Sequence, residues 1–111
     1  MEYLIVSFTH KNTDIKTREK LSFGNELEKE TFLKQVLQND YVNEAMLIST
    51  CNRVELIASV QCCMNSSNEI LKLFANRSNL DFHDLQNRVD VYENMAAIYH
   101  LFTVASSLDS C

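Results

Sequence analysis

The chain has 111 residues, 46% hydrophobic and 23% charged, with 10 basic against 15 acidic side chains and a formal net charge of −5. That describes one small domain with a modest core, and the negative balance argues against nonspecific binding to long nucleic acid, which depends on neutralising phosphates. Average usage would give about 8 glycines and 5 prolines in this length; the single glycine, Gly24, and the absence of proline exclude both a Walker loop and a GxGxxG turn.

Leu4, Val6 and Phe8 alternate with Ile5, Ser7 and Thr9, predicting a first strand over about 3–10. A short helical turn near 14–21 follows, capped by Thr13 or Asp14. Asn25 precedes Glu28 at capping-box spacing, and Phe32, Leu33, Val36 and Leu37 recur at helical period, predicting a helix that ends at about Gln38. Ala45 to Ile48 is an apolar run of strand length, and Val54, Leu56, Ala58 and Val60 alternate along the next strand. Ser49 to Arg53 between them fits a tight hairpin or bend, with Asn52 suited to a left-handed position.

Ser66 and Glu69 form a second capping box, opening a helix in which Ile70, Leu73 and Phe74 share a side. A shorter helical piece at 81–87 leads to a fourth strand at Val89–Tyr92. The last helix, from about Asn94, carries Ile98, Leu101, Phe102, Ala105 and Leu108 on one face. The order β-α-β-β-α-β with additional helices predicts an α+β fold of the ferredoxin-like split β-α-β type. Its four-stranded antiparallel sheet is expected to be covered by helices on one face. The amphipathic pattern reaches Leu108, three residues from the last, without a cap; the expectation is a piece of a longer protein.

No segment approaches the roughly 18 apolar residues of a membrane span, and Met1 to Val6 lacks the basic lead of a signal peptide. The expectation is a cytoplasmic protein with no membrane partner. Cys51, Cys62, Cys63 and Cys111 are then expected as reduced thiols. There is no CxxC pair, and His10 and His83 have no suitably spaced partner, so no metal site is expected.

The densest polar cluster is Ser49-Thr50-Cys51-Asn52-Arg53. A cysteine at a hairpin tip is lifted from the core, and an arginine two residues away favours the nucleophilic thiolate. Arg53 could instead grip a substrate carboxylate in a bidentate pair. The bland alternative is a half-buried cysteine, a turn asparagine and a solvated arginine. His100 falls nearly opposite the Ile98–Leu101–Phe102–Ala105 stripe, facing either solvent, as helical histidines off the core do, or a pocket where it assists leaving-group protonation. Lys11, Lys16, Arg18 and Lys20 lie within ten positions, with Asp14 and Glu19 among them, which describes either a solvated turn or a local basic patch.

Ser49-Thr50-Cys51-Asn52-Arg53-Val54-Glu55 resembles the S-T-C-N-R-x-E signature of the glutamyl-tRNA reductase family. Thr9-His10-Lys11-Asn12-Thr13 resembles the end of that family's first strand, and Arg18 to Phe23 its R-E-x-x-x-F turn. His100 to Ser110 resembles its H-L-F-x-V-A-S-x-L-D-S helix. The four stretches agree in order and spacing across the whole chain.

The resemblance implies that residues 1–111 are the catalytic, substrate-recognition domain of an enzyme that reduces glutamyl-tRNA to glutamate-1-semialdehyde, at the entry to tetrapyrrole synthesis. It implies that Cys51 attacks the aminoacyl ester to give a glutamyl thioester, with His100 supporting catalysis near the reacting carbonyl. Thr50, Asn52 and Arg53 would line the glutamate pocket with Cys51, and Ser110 matches a substrate-contacting serine. NADPH, the implied cofactor, would bind a domain outside this chain, and a further domain would make the parent a homodimer. Glutamate-1-semialdehyde aminomutase is an implied partner, and the Lys11–Lys20 patch would meet the tRNA acceptor stem. The competing expectation is a ferredoxin-like regulatory module in which Arg53 binds a small acid and no catalysis occurs.

Overall fold

The computed structural model describes residues 1–106. In chain order it comprises β1 (Glu2–Thr9), α1 (Ile15–Leu21), α2 (Glu26–Leu37), β2 (Val42–Ser49), β3 (Arg53–Val60), α3 (Cys63–Ser78), α4 (Phe82–Arg88), β4 (Asp90–Glu93) and α5 (Met95–Ala105). The strands form one sheet in the order β2-β3-β1-β4 with every pairing antiparallel. β1 lies between β3 and β4, which is the split β-α-β arrangement the element order predicts.

Period-two alternation divides the sheet into two faces. Leu4, Val6 and Phe8 of β1 and Val54, Leu56, Ala58 and Val60 of β3 point into the main core with Phe32 and Val36 of α2 and Ile70 and Phe74 of α3. Phe74 joins the layers: its ring lies 5.3 Å from that of Phe8 and 4.6 Å from that of Phe32. Local capping follows the sequence. Asp14, Asn25 and Asp81 each accept from a backbone N–H in the first turn of α1, α2 and α4.

Three expectations are corrected. α3 begins at Cys63 rather than at Ser66, which is buried inside the helix. Its first turn is satisfied from a distance: the Cys63 N–H donates to Glu2 Oε1 at 3.0 Å, across 61 positions. Asn52 is not left-handed; among the described residues that need not be glycine, only Asn79 and Asn94 have positive φ. The hairpin turns without a left-handed residue because Thr50 and Arg53 share a backbone bond and the Thr50 hydroxyl accepts from the Asn52 N–H.

The third correction concerns the sheet's other face, which was expected bare. Ile5, Ser7 and Thr9 are as buried as their core-facing neighbours, because α5 packs across β1 and β4. It does so with Ala97, His100 and Val104, while Leu101 and Phe102 of the expected apolar stripe are exposed. Asn94 sets this rotation. Its backbone N–H donates to the Tyr3 carbonyl, its side-chain oxygen accepts from the Tyr3 N–H, and its amide nitrogen donates to Glu2. Its φ of 53° reverses the chain between β4 and α5.

Replacing Phe74 by alanine should lower the unfolding free energy by about 3–5 kcal/mol, since it empties the centre of the aromatic cluster. Asn25→Ala, which removes one cap, should lower it by about 1 kcal/mol; urea unfolding of the two variants checks the difference. Burial, reinforced by the charges of Glu2 and Glu93, pushes the Cys63 thiol from 9.0 up to about 11. Its thiolate fraction near neutral pH therefore falls about 100-fold. Iodoacetamide should label Cys63 about 100-fold more slowly in the folded protein than in denaturant, read by peptide mass.

Candidate active site

The turn between β2 and β3 presents Thr50, Cys51 and Asn52 at one end of the sheet. Two contacts hold it. Ser49 Oγ accepts from the Phe23 N–H, tying the hairpin to the segment between α1 and α2, and the Asn52 carbonyl accepts from the His10 N–H at 3.1 Å. An open cleft of about 380 Å³ results, lined by Ile15, Arg18, Phe23, Ser49, Thr50 and Cys51. Cys51 is exposed on it.

Cys62 and Cys63 are free thiols, but Cys51 is disulfide-bonded in this structure. The expectation of reduced thiols is corrected at that position. Nucleophilic chemistry at Cys51 belongs to its reduced form, since only a thiolate attacks. Of the four clustered cations, Lys11, Lys16 and Lys20 are exposed. Arg18 is turned inward, donating from Nη1 to the Thr13 carbonyl at 2.6 Å, and lines the cleft beside Cys51.

A second constellation lies on the sheet face that α5 covers. Arg53 and Glu55, two residues apart on β3, point to the same face, and the register places Ser7 directly opposite Glu55. Glu55 is 1% exposed. A carboxylate so buried needs partners, and three donors converge on Oε2. These are the Ser7 hydroxyl, His100 Nε2 at 2.6 Å and Arg53 Nη1 at 3.5 Å. The ring of Tyr92 stacks on His100 with centroids 4.0 Å apart and planes within 12°. Burial raises the Tyr92 hydroxyl's pKa above its ordinary value, and the Asp90 and Glu55 carboxylates add to the effect.

His100 was expected nearly opposite the buried side of its helix. It lies on the buried side, because α5 is rotated to put small Ala97 and Val104 against the sheet. Arg53 and His100 are brought together on Glu55, while Thr50 and Cys51 line the cleft. Ser110 lies outside the described residues. Glu55 closes the S-T-C-N-R-x-E match but carried no role there, and Ser7 and Tyr92 were not singled out from the sequence. The i, i+2 spacing of Arg53 and Glu55 in a strand was the available signal, since it places both charges on one face. Ser7 and Tyr92 come from strands distant in sequence, and only the register joins them to Glu55.

Among the described residues no group of three or more His, Cys, Asp or Glu is placed to hold a metal ion. The one glycine does not make an anion cradle. The Gly24 N–H donates to the Glu28 carboxylate ahead of α2, and a Cβ at Gly24 would come within 2.8 Å of that oxygen. A helix start already holding a carboxylate repels a pyrophosphate. No helix among the described residues is long and apolar enough to cross a membrane.

The family model for the N-terminal domain of glutamyl-tRNA(Glu) reductase matches residues 6–111. Over 110 residues, 99% of this chain, the sequence is 51% identical to a glutamyl-tRNA reductase of Aliarcobacter butzleri and 49% identical to one of Campylobacter hominis. The chain spans 26% of the length of each. A solved glutamyl-tRNA reductase from Methanopyrus kandleri superposes with a TM-score of 0.66 at 25% identity, covering 96% of this chain and 23% of that one.

Ser7→Ala removes a donor from a buried carboxylate and should lower stability by about 1.5–3 kcal/mol. With Glu55→Gln already present, the same change should lower it by much less. A coupling of at least about 0.5 kcal/mol in a double-mutant cycle by urea unfolding checks the pairing.

Proposed function

Because the chain belongs to the family of glutamyl-tRNA reductase N-terminal domains, we propose that residues 1–111 are the catalytic, substrate-recognition domain of a glutamyl-tRNA reductase. The observation that carries this reading is the position of Cys51: exposed at the hairpin tip, on a cleft that also holds Thr50 and the Arg18 guanidinium.

In this reading reduced Cys51 attacks the ester carbonyl that joins glutamate to its tRNA. The carbon–sulfur bond forms, the bond to the ribose oxygen breaks, and tRNA leaves with a proton. The product is a glutamyl thioester, whose carbonyl accepts hydride more readily than a carboxylate does. Thr50, Asn52, Arg53 and Ser110 recognise the glutamate, with Arg53 paired to a substrate carboxylate. The contact of Arg53 with Glu55 holds the guanidinium in place beforehand and leaves its other donors for substrate. His100 supports protonation of the departing oxygen. The exposed Lys11, Lys16 and Lys20 suit contact with the acceptor stem.

The reductant in this reading is NADPH, which supplies the hydride. The residues described here do not fit it, since the only glycine faces the Glu28 carboxylate. NADPH binding is therefore assigned to the part of the longer enzyme that this chain does not span, together with homodimer formation. The product, glutamate-1-semialdehyde, passes to an aminomutase, and the setting is the cytoplasm. A small-acid-binding regulatory module accounts less well for an exposed cysteine on the cleft.

The test is intact-mass analysis of the full-length enzyme, reduced with a phosphine and incubated with glutamyl-tRNA in the absence of NADPH. A glutamyl adduct on the wild type that is missing from Cys51→Ser is expected. An adduct that persists in Cys51→Ser overturns the assignment. Residues 1–111 alone should form no semialdehyde when NADPH is added, because the described residues do not fit it.

A further inference from the structure

The Glu55 carboxylate touches both side chains on which the proposed chemistry relies, and the distances rank its partners. His100 Nε2 lies at 2.6 Å, a full-strength charge-assisted hydrogen bond. Arg53 Nη1, at 3.5 Å, is at ion-pair distance but beyond a good hydrogen bond. Glu55 is thus first a partner of the histidine.

An ionised carboxylate can only accept hydrogen bonds. Against such an acceptor, to which the Ser7 hydroxyl also donates, His100 Nε2 is the nitrogen assigned the hydrogen. The tautomer follows: a neutral His100 carries its hydrogen on Nε2 and its lone pair on Nδ1. Nδ1 has no hydrogen-bond partner among the described residues. Stacking on Tyr92 at 4.0 Å fixes the plane of the ring, and the half-buried setting of His100 on α5 restricts its rotamer. Hydrogen bond and stacking together leave one orientation.

We propose that Glu55 is a positioning residue for His100, holding the imidazole in its Nε2–H tautomer so that Nδ1 alone accepts and returns the proton in acyl transfer. The proposal rests on the reading that His100 serves that reaction. The balance is simple. On the reading that places His100 at the reacting carbonyl, the Cys51 thiol yields its proton to Nδ1, the carbon–sulfur bond forms, and that proton passes to the ribose oxygen as its bond to carbon breaks. The Glu55 carboxylate, at 2.6 Å from Nε2, stabilises the transient imidazolium. The charged and titratable groups facing this ring are Glu55, Arg53 and Tyr92, with Asp90 adjacent on β4.

The experiment follows single-turnover acylation in the full-length enzyme without NADPH, across a range of glutamyl-tRNA concentrations, to give a limiting rate and a half-saturation concentration. Glu55→Gln should lower the limiting rate about 10–100-fold, the range typical of losing a partner that orients a histidine. Half-saturation should stay within about two-fold, because substrate binding is not what Glu55 provides. In a His100→Asn background Glu55→Gln should cause no further loss, since a residue acting through another has nothing left to act on. A purely structural role predicts equal loss in both backgrounds, and that outcome overturns the proposal, as does a rise in half-saturation at an unchanged limiting rate. Glu55→Asp draws the carboxylate back by one methylene and should give a smaller loss with the same non-additivity, serving if the glutamine variant folds poorly. A wild-type limiting rate in His100→Asn overturns the role of His100 and this proposal with it. Acylation that survives Cys51→Ser overturns instead the reading of Cys51.

Discussion

A carboxylate sealed between a sheet and a helix must be paired or it destabilises the fold, and the outer face of this sheet is organised around that requirement. Glu55 lies on β3, Ser7 on β1 and His100 on α5, and all three meet at one oxygen. Elements from the beginning, middle and later part of the chain are thereby held together. Arg53 supplies a compensating positive charge at the edge of the cluster. A buried ion pair of this kind contributes little net stability against a hydrophobic replacement, and its value is specificity of arrangement. Here that arrangement fixes which side of α5 meets the sheet.

The inner face follows a different logic. Phe8, Phe32 and Phe74 interlock with the aliphatic side chains of β1, β3, α2 and α3, and nothing polar is needed to specify them. Stability resides mainly in that layer, because apolar area removed from water is the dominant favourable contribution. The Glu55 cluster lies on the other layer, where α5 buries only Ala97 and Val104 fully. The division lets the outer layer carry charged and hydrogen-bonding side chains without weakening the core.

The hairpin between β2 and β3 links the two. Its tip bears Thr50, Cys51 and Asn52, while β3 leads from Arg53 to Glu55 within three residues. A strand alternates, so Val54 anchors the segment in the core as its neighbours turn outward. A short contiguous sequence thus supplies an exposed sulfur, a guanidinium and the carboxylate that orients a histidine. In the proposed acyl transfer these are the nucleophile, the substrate anchor and the support for proton movement.

The sequence by itself determined the strands, the cap at Asn25, the choice of Thr13 or Asp14 for α1, and the family, because these depend on spacing and on short motifs within a few residues. It also placed Cys51 at a turn and Arg53 beside it. It misplaced the start of α3, since the cap on Cys63 comes from Glu2 across the sheet. It misread α5 more deeply. Ile98, Leu101, Phe102 and Ala105 form the more apolar stripe, yet the helix turns Ala97, His100 and Val104 inward. Periodicity finds the greasier side of a helix, but the side that is buried depends on what faces it. The facing surface here offers a carboxylate to His100, and Asn94 fixes the rotation through its bonds to Glu2 and Tyr3. Only the tertiary structure could decide that, because pairing a buried charge outweighs the preference of one more apolar stripe for burial.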